Sequence, residues 1–189
     1  MRTEQGKLYL FVAIDRTSKF AFVELHENAT RRIAGDFLRH LIAAVPYRVH
    51  TVLTDNGTHF TTPGNTASAA RLIKEAIARG ELFRAHAFEL ACAQNDSDHR
   101  LTKPRHPWTN GPVERMNRTI KDATVRRDHY ESHDQLRPHL SDFVTAYNFA
   151  RRLKTLKGLT PYEFICKRWT RKPERFRINP IHQRPGLNT

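Results

Sequence analysis

The chain has 189 residues, room for one well-packed domain and a tail but not for two full domains. Its 32 lysines and arginines against 19 aspartates and glutamates leave a formal charge of +13 and a pI near 10.3, which favours a polyanionic partner, nucleic acid first. Two isolated cysteines, Cys92 and Cys166, exclude a disulfide framework or zinc site and point to reducing cytosol, and no apolar run nears the roughly 20 residues of a membrane span. With no charged-then-apolar leader, a soluble, cytoplasmic protein with no membrane partner is expected.

Residues 7–14, KLYLFVAI, have the length and apolar content of a strand buried on both faces. Asp15, Arg16, Thr17 and Ser18 supply turn chemistry, and residues 20–25 read as a second strand, so the two should form a hairpin. Thr30 is placed to cap a helix whose apolar residues Ile33, Phe37, Leu38, Leu41, Ile42 and Val45 share one face, and Pro46 ends it.

Residues 49–54 read as a short strand stopped by Asp55-Asn56-Gly57, so Asp55 sits at a strand end. Residues 61–80, rich in Ala, Thr and Ser, look like an inserted excursion with a weak helical pattern around Leu72, Ile73 and Ile77. A short helix over 86–93 and a short strand over 99–102 follow.

Residues 103–110, KPRHPWTN, combine two prolines with cationic side chains, as an exposed extended loop would. Gly111-Pro112 then opens a helix reaching about residue 127. Ser132 and Gln135 form a capping-box pattern before a helix that should bury Leu136, Leu140, Phe143, Val144 and Tyr147. Thr160-Pro161-Tyr162-Glu163 is a second capping box, and from Thr170 the proline-containing chain reads as a tail, packed on the surface or mobile. The domain reading is therefore a core over 1–169 and a basic tail over 170–189.

Phosphodiester chemistry with magnesium needs carboxylates from different parts of the chain that converge on a hard cation. Strand ends and first helical turns are suitable mounts, and Asp55 and Glu114 occupy one of each. Taken alone, Asp55-Asn56-Gly57 is an ordinary turn and Glu114 a favourable charge at a helix start. Asn117, Arg118 and Lys121 follow Glu114 at i+3, i+4 and i+7, a stripe that could grip phosphates or simply face solvent.

Three blocks carry a resemblance: LTDNGTHF at 53–60, HRLTKPRHPWTNGPVERMNRTIK at 99–121 and YNFARRLKTLKGLTPYEFICKRW at 147–169. In this order they are similar to the DDE-type catalytic core shared by retroviral integrases and bacterial insertion-sequence transposases. The resemblance covers nearly the whole chain. It implies a ribonuclease H-like α/β fold, a mixed sheet flanked by helices, and a three-carboxylate site for Mg2+ (or Mn2+). The implied activity is metal-dependent cleavage of DNA followed by strand transfer in transposition or integration, on transposon ends and target DNA, by a homo-oligomer in the bacterial cytoplasm at the nucleoid.

Carried over by motif, Asp55 resembles the second carboxylate and Glu114 the third, both catalytic and metal-ligating. Asn117, Arg118 and Lys121 resemble the DNA-contacting positions, and Lys103 and Arg105 join them on charge and position. The interval between Asp55 and Glu114 is longer than such cores commonly show, which fits the excursion at 61–80 and costs little loop entropy.

In similar cores the first aspartate lies on a strand just before residues 7–14. That strand is expected upstream of Met1, with a recognition region of helix-turn-helix type before it, so the chain reads as part of a longer frame; Asp15 comes too late to substitute. The alternative is a catalytically dead DNA-binding remnant of a transposase. A general ribonuclease H-like nuclease is disfavoured by the TPYE block, and an RNA-binding module by the lack of stacking-aromatic motifs.

Overall fold

A computed structural model describes residues 1–65, 67–82, 84–102 and 111–182. They form two compact units, Met1–Glu27 with Ala44–Arg48 and Pro112–Thr189, and Asn28–Ala43 with Val49–Gly111.

The first unit begins with a two-residue ladder, β1 (Arg2–Thr3) against β2 (Gly6–Lys7), which the sequence pattern does not announce. The expected hairpin follows as β3 (Tyr9–Ile14) and β4 (Ala21–His26), antiparallel in the register Tyr9↔His26 to Ile14↔Ala21. Asp15 builds its turn: Oδ1 accepts from the Thr17 N–H at 2.8 Å and Oδ2 from the Ser18 hydroxyl at 2.5 Å, while Lys19 takes the left-handed conformation. Both oxygens of that side chain are thus engaged in the turn. Burial on both faces does not hold for β3, where only Phe11 is buried; among the described residues β3 is laddered to β4 alone.

Three helices complete this unit: α4 (Gly111–Ala123), α5 (His133–Phe149) and α6 (Pro161–Arg171). Helix α4 stops four residues before the expected end, where Thr124 bonds back to the Ile120 carbonyl at 2.7 Å and the chain turns. The Ser132 hydroxyl caps α5 by accepting from the Gln135 N–H, but the Gln135 side chain returns to the Glu131 N–H, one residue before the cap, so the box is offset. At α6 the box closes fully: Thr160 Oγ1 accepts from the Glu163 N–H at 3.1 Å and Glu163 Oε2 from the Thr160 N–H at 2.9 Å.

Leu8, Val23, Leu25, Met116, Ile120, Leu136, Leu140 and Val144 form one apolar cluster, with Phe143 partly buried against it. Asn148, inside α5, spans to β4 with a paired hydrogen bond, accepting from the Ala21 N–H at 2.9 Å and donating to its carbonyl at 2.8 Å. The chain after α6 makes short 3-10 turns at Pro173–Arg175 and Pro180–His182. It is held by a bridge between Tyr47 and Phe176, an Arg177 N–H bond to the Pro46 carbonyl and a Tyr162 hydroxyl bond to the Pro180 carbonyl.

The second unit contains α1 (Arg31–Ala44), β5 (Thr51–Thr54), α2 (Ala70–Ala78), α3 (Ala87–Gln94) and β6 (Asp98–Leu101). Thr30 caps α1 as expected, its hydroxyl accepting from the Ile33 N–H at 3.2 Å. Helix α1 approaches the start of α3 at Gly35, where a β-carbon would meet the Ala87 carbonyl oxygen at 3.0 Å. Strands β5 and β6 pair in parallel, Thr51↔Asp98 to Thr54↔Leu101, with α3 leading into β6. The excursion contains α2, which buries Ala70, Ile73 and Ala76 and leaves Leu72 and Ile77 outside.

Parallel and antiparallel pairing are both present, as expected of a mixed α/β fold. Among the described residues they occur as three two-stranded ladders. No helix among the described residues is long and apolar enough to cross a membrane.

Candidate functional site

Asp55 directly follows β5 and is exposed. Its Oδ1 accepts from the Gly57 N–H at 2.9 Å, closing a small turn on the side chain, and Oδ2 has no partner among the described residues. A β-carbon on Gly57 would sit 2.8 Å from that Oδ1, so glycine permits the approach. The turn reading of Asp55-Asn56-Gly57 and the ligand reading are therefore compatible: the turn fixes one carboxylate oxygen and leaves the other.

Glu114 lies in the first turn of α4 and is exposed. The positive end of the helix dipole favours a carboxylate there. Met116 and Ile120 bury the opposite side of the helix, so Glu114, Arg118 and Lys121 stand on one exposed stripe with half-buried Asn117 at its edge. Among the described residues neither Arg118 nor Lys121 is paired with a carboxylate, whereas Arg126 is committed to Asp122 at 2.6 Å. Two cations beside an exposed carboxylate make a surface that can hold phosphates.

The structure thus brings Glu114, Asn117, Arg118 and Lys121 together on α4. Asp55 belongs to the second unit and Glu114 to the first, so each is described on its own mount. Lys103 and Arg105 lie outside the described residues. Among the described residues no group of three or more His, Cys, Asp or Glu side chains is gathered as a metal cluster. A carboxylate oxygen, on either mount, suits a hard divalent cation rather than a soft one.

Behind Asp55, sequence reasoning missed a buried polar chain. Thr54 Oγ1 donates to the Asp55 carbonyl at 3.0 Å and lies 2.8 Å from His99 Nε2. On the far side of the ring, His99 Nδ1 is 3.3 Å from Glu89 Oε1, an ion-pair distance without hydrogen-bond geometry. Glu89 is 2% exposed and accepts from the Thr61 and Ser68 hydroxyls and the Ala69 N–H. Burial pushes its carboxyl up, but the adjacent His99, Ser68 and Ala69 outweigh burial and hold it below the usual carboxylate range. Apolar surroundings push the Cys92 thiol in the same unit up to about 12. The only sequence signal for this chain was negative: Glu89 falls among apolar residues on a short helix, where a carboxylate needs partners.

Two family descriptions match the chain, both reading "Integrase core domain", one over residues 1–107 and the other over residues 95–161. Asp55 falls in the first span and Glu114 in the second. Among solved structures, a chain of the simian T-cell lymphotropic virus intasome, determined in complex with PP2A regulatory subunit B56 gamma, aligns at 20% identity and TM-score 0.65. That alignment covers 87% of this chain and 50% of the other, so the chain spans half the length of that relative. The catalytic core domain of BIV integrase aligns at 21% identity and TM-score 0.62, over 92% of this chain and 93% of the other. These likenesses establish a ribonuclease H-like fold. No curated protein matches.

Proposed function

Since the chain belongs to the integrase core domain family, we propose that it cleaves DNA and transfers the freed strand end into target DNA, with Asp55 and Glu114 as the catalytic carboxylates. Integrase core domains in general depend on divalent metal, and Mg2+ or Mn2+ is proposed for this one. When bound, the cation would polarise the scissile phosphate and lower the proton affinity of the attacking oxygen.

In the first step water adds a hydroxyl to phosphorus, and the bond from phosphorus to the 3′ oxygen breaks. That oxygen leaves as a 3′-hydroxyl carrying the proton. In the second, the 3′ oxygen attacks a target phosphorus and gives its proton to solvent, and the target's own 3′ oxygen departs and is protonated. The Asp55 side chain, with Oδ1 held by Gly57, presents Oδ2 in a restricted orientation. Glu114 supplies a second hard oxygen at the start of α4. Arg118 and Lys121 grip backbone phosphates beside it, and Asn117 donates to a phosphate or base at the edge of the stripe.

The observation that carries this reading is that stripe: a carboxylate with two cations, unpaired among the described residues, on the exposed face of a helix anchored by Met116 and Ile120. Assembly of several copies on DNA is proposed by analogy with the intasome relative.

The test is Glu114→Gln beside Arg118→Ala, assayed for metal-dependent nicking and joining of labelled duplex DNA and for DNA binding across a salt series. Glu114→Gln should lower joining by at least about a hundredfold, on the scale of losing a few kcal/mol at the transition state, and leave binding nearly intact. Arg118→Ala should weaken binding and flatten its salt dependence by about one counterion. Full joining by Glu114→Gln would remove Glu114 from the chemistry. A wild-type protein that binds DNA steeply with salt yet never joins strands would support the binding-remnant alternative.

A further inference from the structure

The buried chain Glu89, His99, Thr54 lies wholly within the second unit and ends on the backbone of Asp55, which the functional reading does not use. A hydroxyl, an imidazole and a carboxylate in line suggest an activated nucleophile, but Thr54 and His99 are themselves buried, so no substrate reaches them. Their effect has to pass through what Thr54 touches.

The donor count shows what that effect is. Thr54 has one hydroxyl proton and two neighbours, the Asp55 carbonyl at 3.0 Å and His99 Nε2 at 2.8 Å. If the proton goes to the carbonyl, Nε2 must donate to the hydroxyl oxygen; if Nε2 is bare, it captures the proton and the carbonyl is released. On the other side of the ring, Glu89 is an acceptor already receiving two hydroxyls and an N–H. Its Oε1 stands 3.3 Å from His99 Nδ1, so the carboxylate backs the ring on the side away from Thr54. With the Thr54 proton directed to the Asp55 carbonyl, Nε2 is the donor to the hydroxyl oxygen. Phe88 holds the ring edge-on with centroids 5.1 Å apart, and Phe60 backs Phe88 at the same distance, so the imidazole has little freedom to turn away.

We propose that His99, oriented by Glu89 and walled by Phe88, is a positioning residue that commits the Thr54 hydroxyl to the Asp55 carbonyl and thereby fixes the proposed metal-binding carboxylate. The peptide after Asp55 is held by Thr54, and two residues on, the Gly57 N–H holds Oδ1. Backbone and side chain of Asp55 are thus each tied by one hydrogen bond, which restricts where Oδ2 points. The proposal rests on Asp55 being a ligand, as the functional reading has it.

Thr54→Val keeps the shape of the strand residue and removes the hydroxyl, and Thr54→Ser restores it. In the metal-free protein, Thr54→Val should raise hydrogen exchange at the Gly57 amide by about tenfold, the scale of losing one hydrogen bond of about 1 kcal/mol. In the joining assay it should raise the half-saturating Mg2+ concentration several-fold, with little change in DNA affinity, and Thr54→Ser should return both readouts to wild-type values. His99→Phe should act in the same direction wherever it folds. Wild-type exchange and Mg2+ requirement in Thr54→Val would overturn the proposal. If Asp55→Asn destroys joining while Thr54→Val changes nothing, only the positioning role fails; if Asp55→Asn joins normally, the functional reading itself has failed.

Discussion

The two compact units hold themselves together by different chemistry. In the first, aliphatic side chains from β4, α4 and α5 make one cluster, and the buried polar side chains are neutral hydroxyls and the amide of Asn148. In the second, the aromatic Phe88 and the small residues of α3 share the interior with Glu89 and His99, both 3% exposed or less. An apolar core gains from every buried methylene and tolerates approximate fit, whereas a buried ionisable pair is favourable only while each member keeps its partners. The first kind of interior builds a rigid mount for Glu114. The second builds a mount for Asp55 in which stability and the orientation of one carboxylate depend on the same few hydrogen bonds.

Glu89→Ala should separate the two interiors most strongly. It removes the partner of the buried His99 imidazole, two hydroxyls and the Ala69 N–H, and should cost about 3–5 kcal/mol in chemical denaturation. A loss below about 1 kcal/mol would mean that water reaches the site and that the two interiors do not differ in kind. Ile120→Ala probes the other side: at 0% exposure it should cost about 2–5 kcal/mol through lost burial and the cavity left behind, without altering the Gly57 exchange that reports on Asp55. Asn148→Ala is the intermediate case. It leaves the Ala21 N–H and carbonyl unpaired and should cost about 1–3 kcal/mol, since no charge is stranded.

The smallest effect is on pH dependence. The Glu89 carboxyl is held below its usual range in the folded protein, so its contribution to stability is present above the unfolded value of about 4.3 and fades as pH falls through the lower folded value. Wild-type protein should therefore lose its advantage over Glu89→Gln as acid is added, while its advantage over Ile120→Ala stays level. Parallel acid profiles for all three proteins would show that the carboxylate does not titrate with folding.

Local signals decided much of this protein. Apolar runs specified β3 and β4, Thr30, Ser132 and Thr160 marked helix starts, and the heptad-like spacing of Glu114, Arg118 and Lys121 already put them on one face. Each of these follows from periodicity or from an unsatisfied helix-end N–H, both of which act over a few residues. The early stop of α4 at Ala123 and the pinning of the chain after Arg171 by Tyr47 and Pro46 depend on partners far along the chain, so no local pattern contained them. The candidate site divides the same way. Asp55 and Glu114 were legible as carboxylates on a strand end and a helix start, but the support for Asp55 was not. Thr54 lies far along the chain from Glu89 and His99, and the three become a single polar chain only when β5 and β6 pair and α3 packs beside them. Desolvation then makes their mutual orientation matter, and desolvation is a property of the packed interior alone.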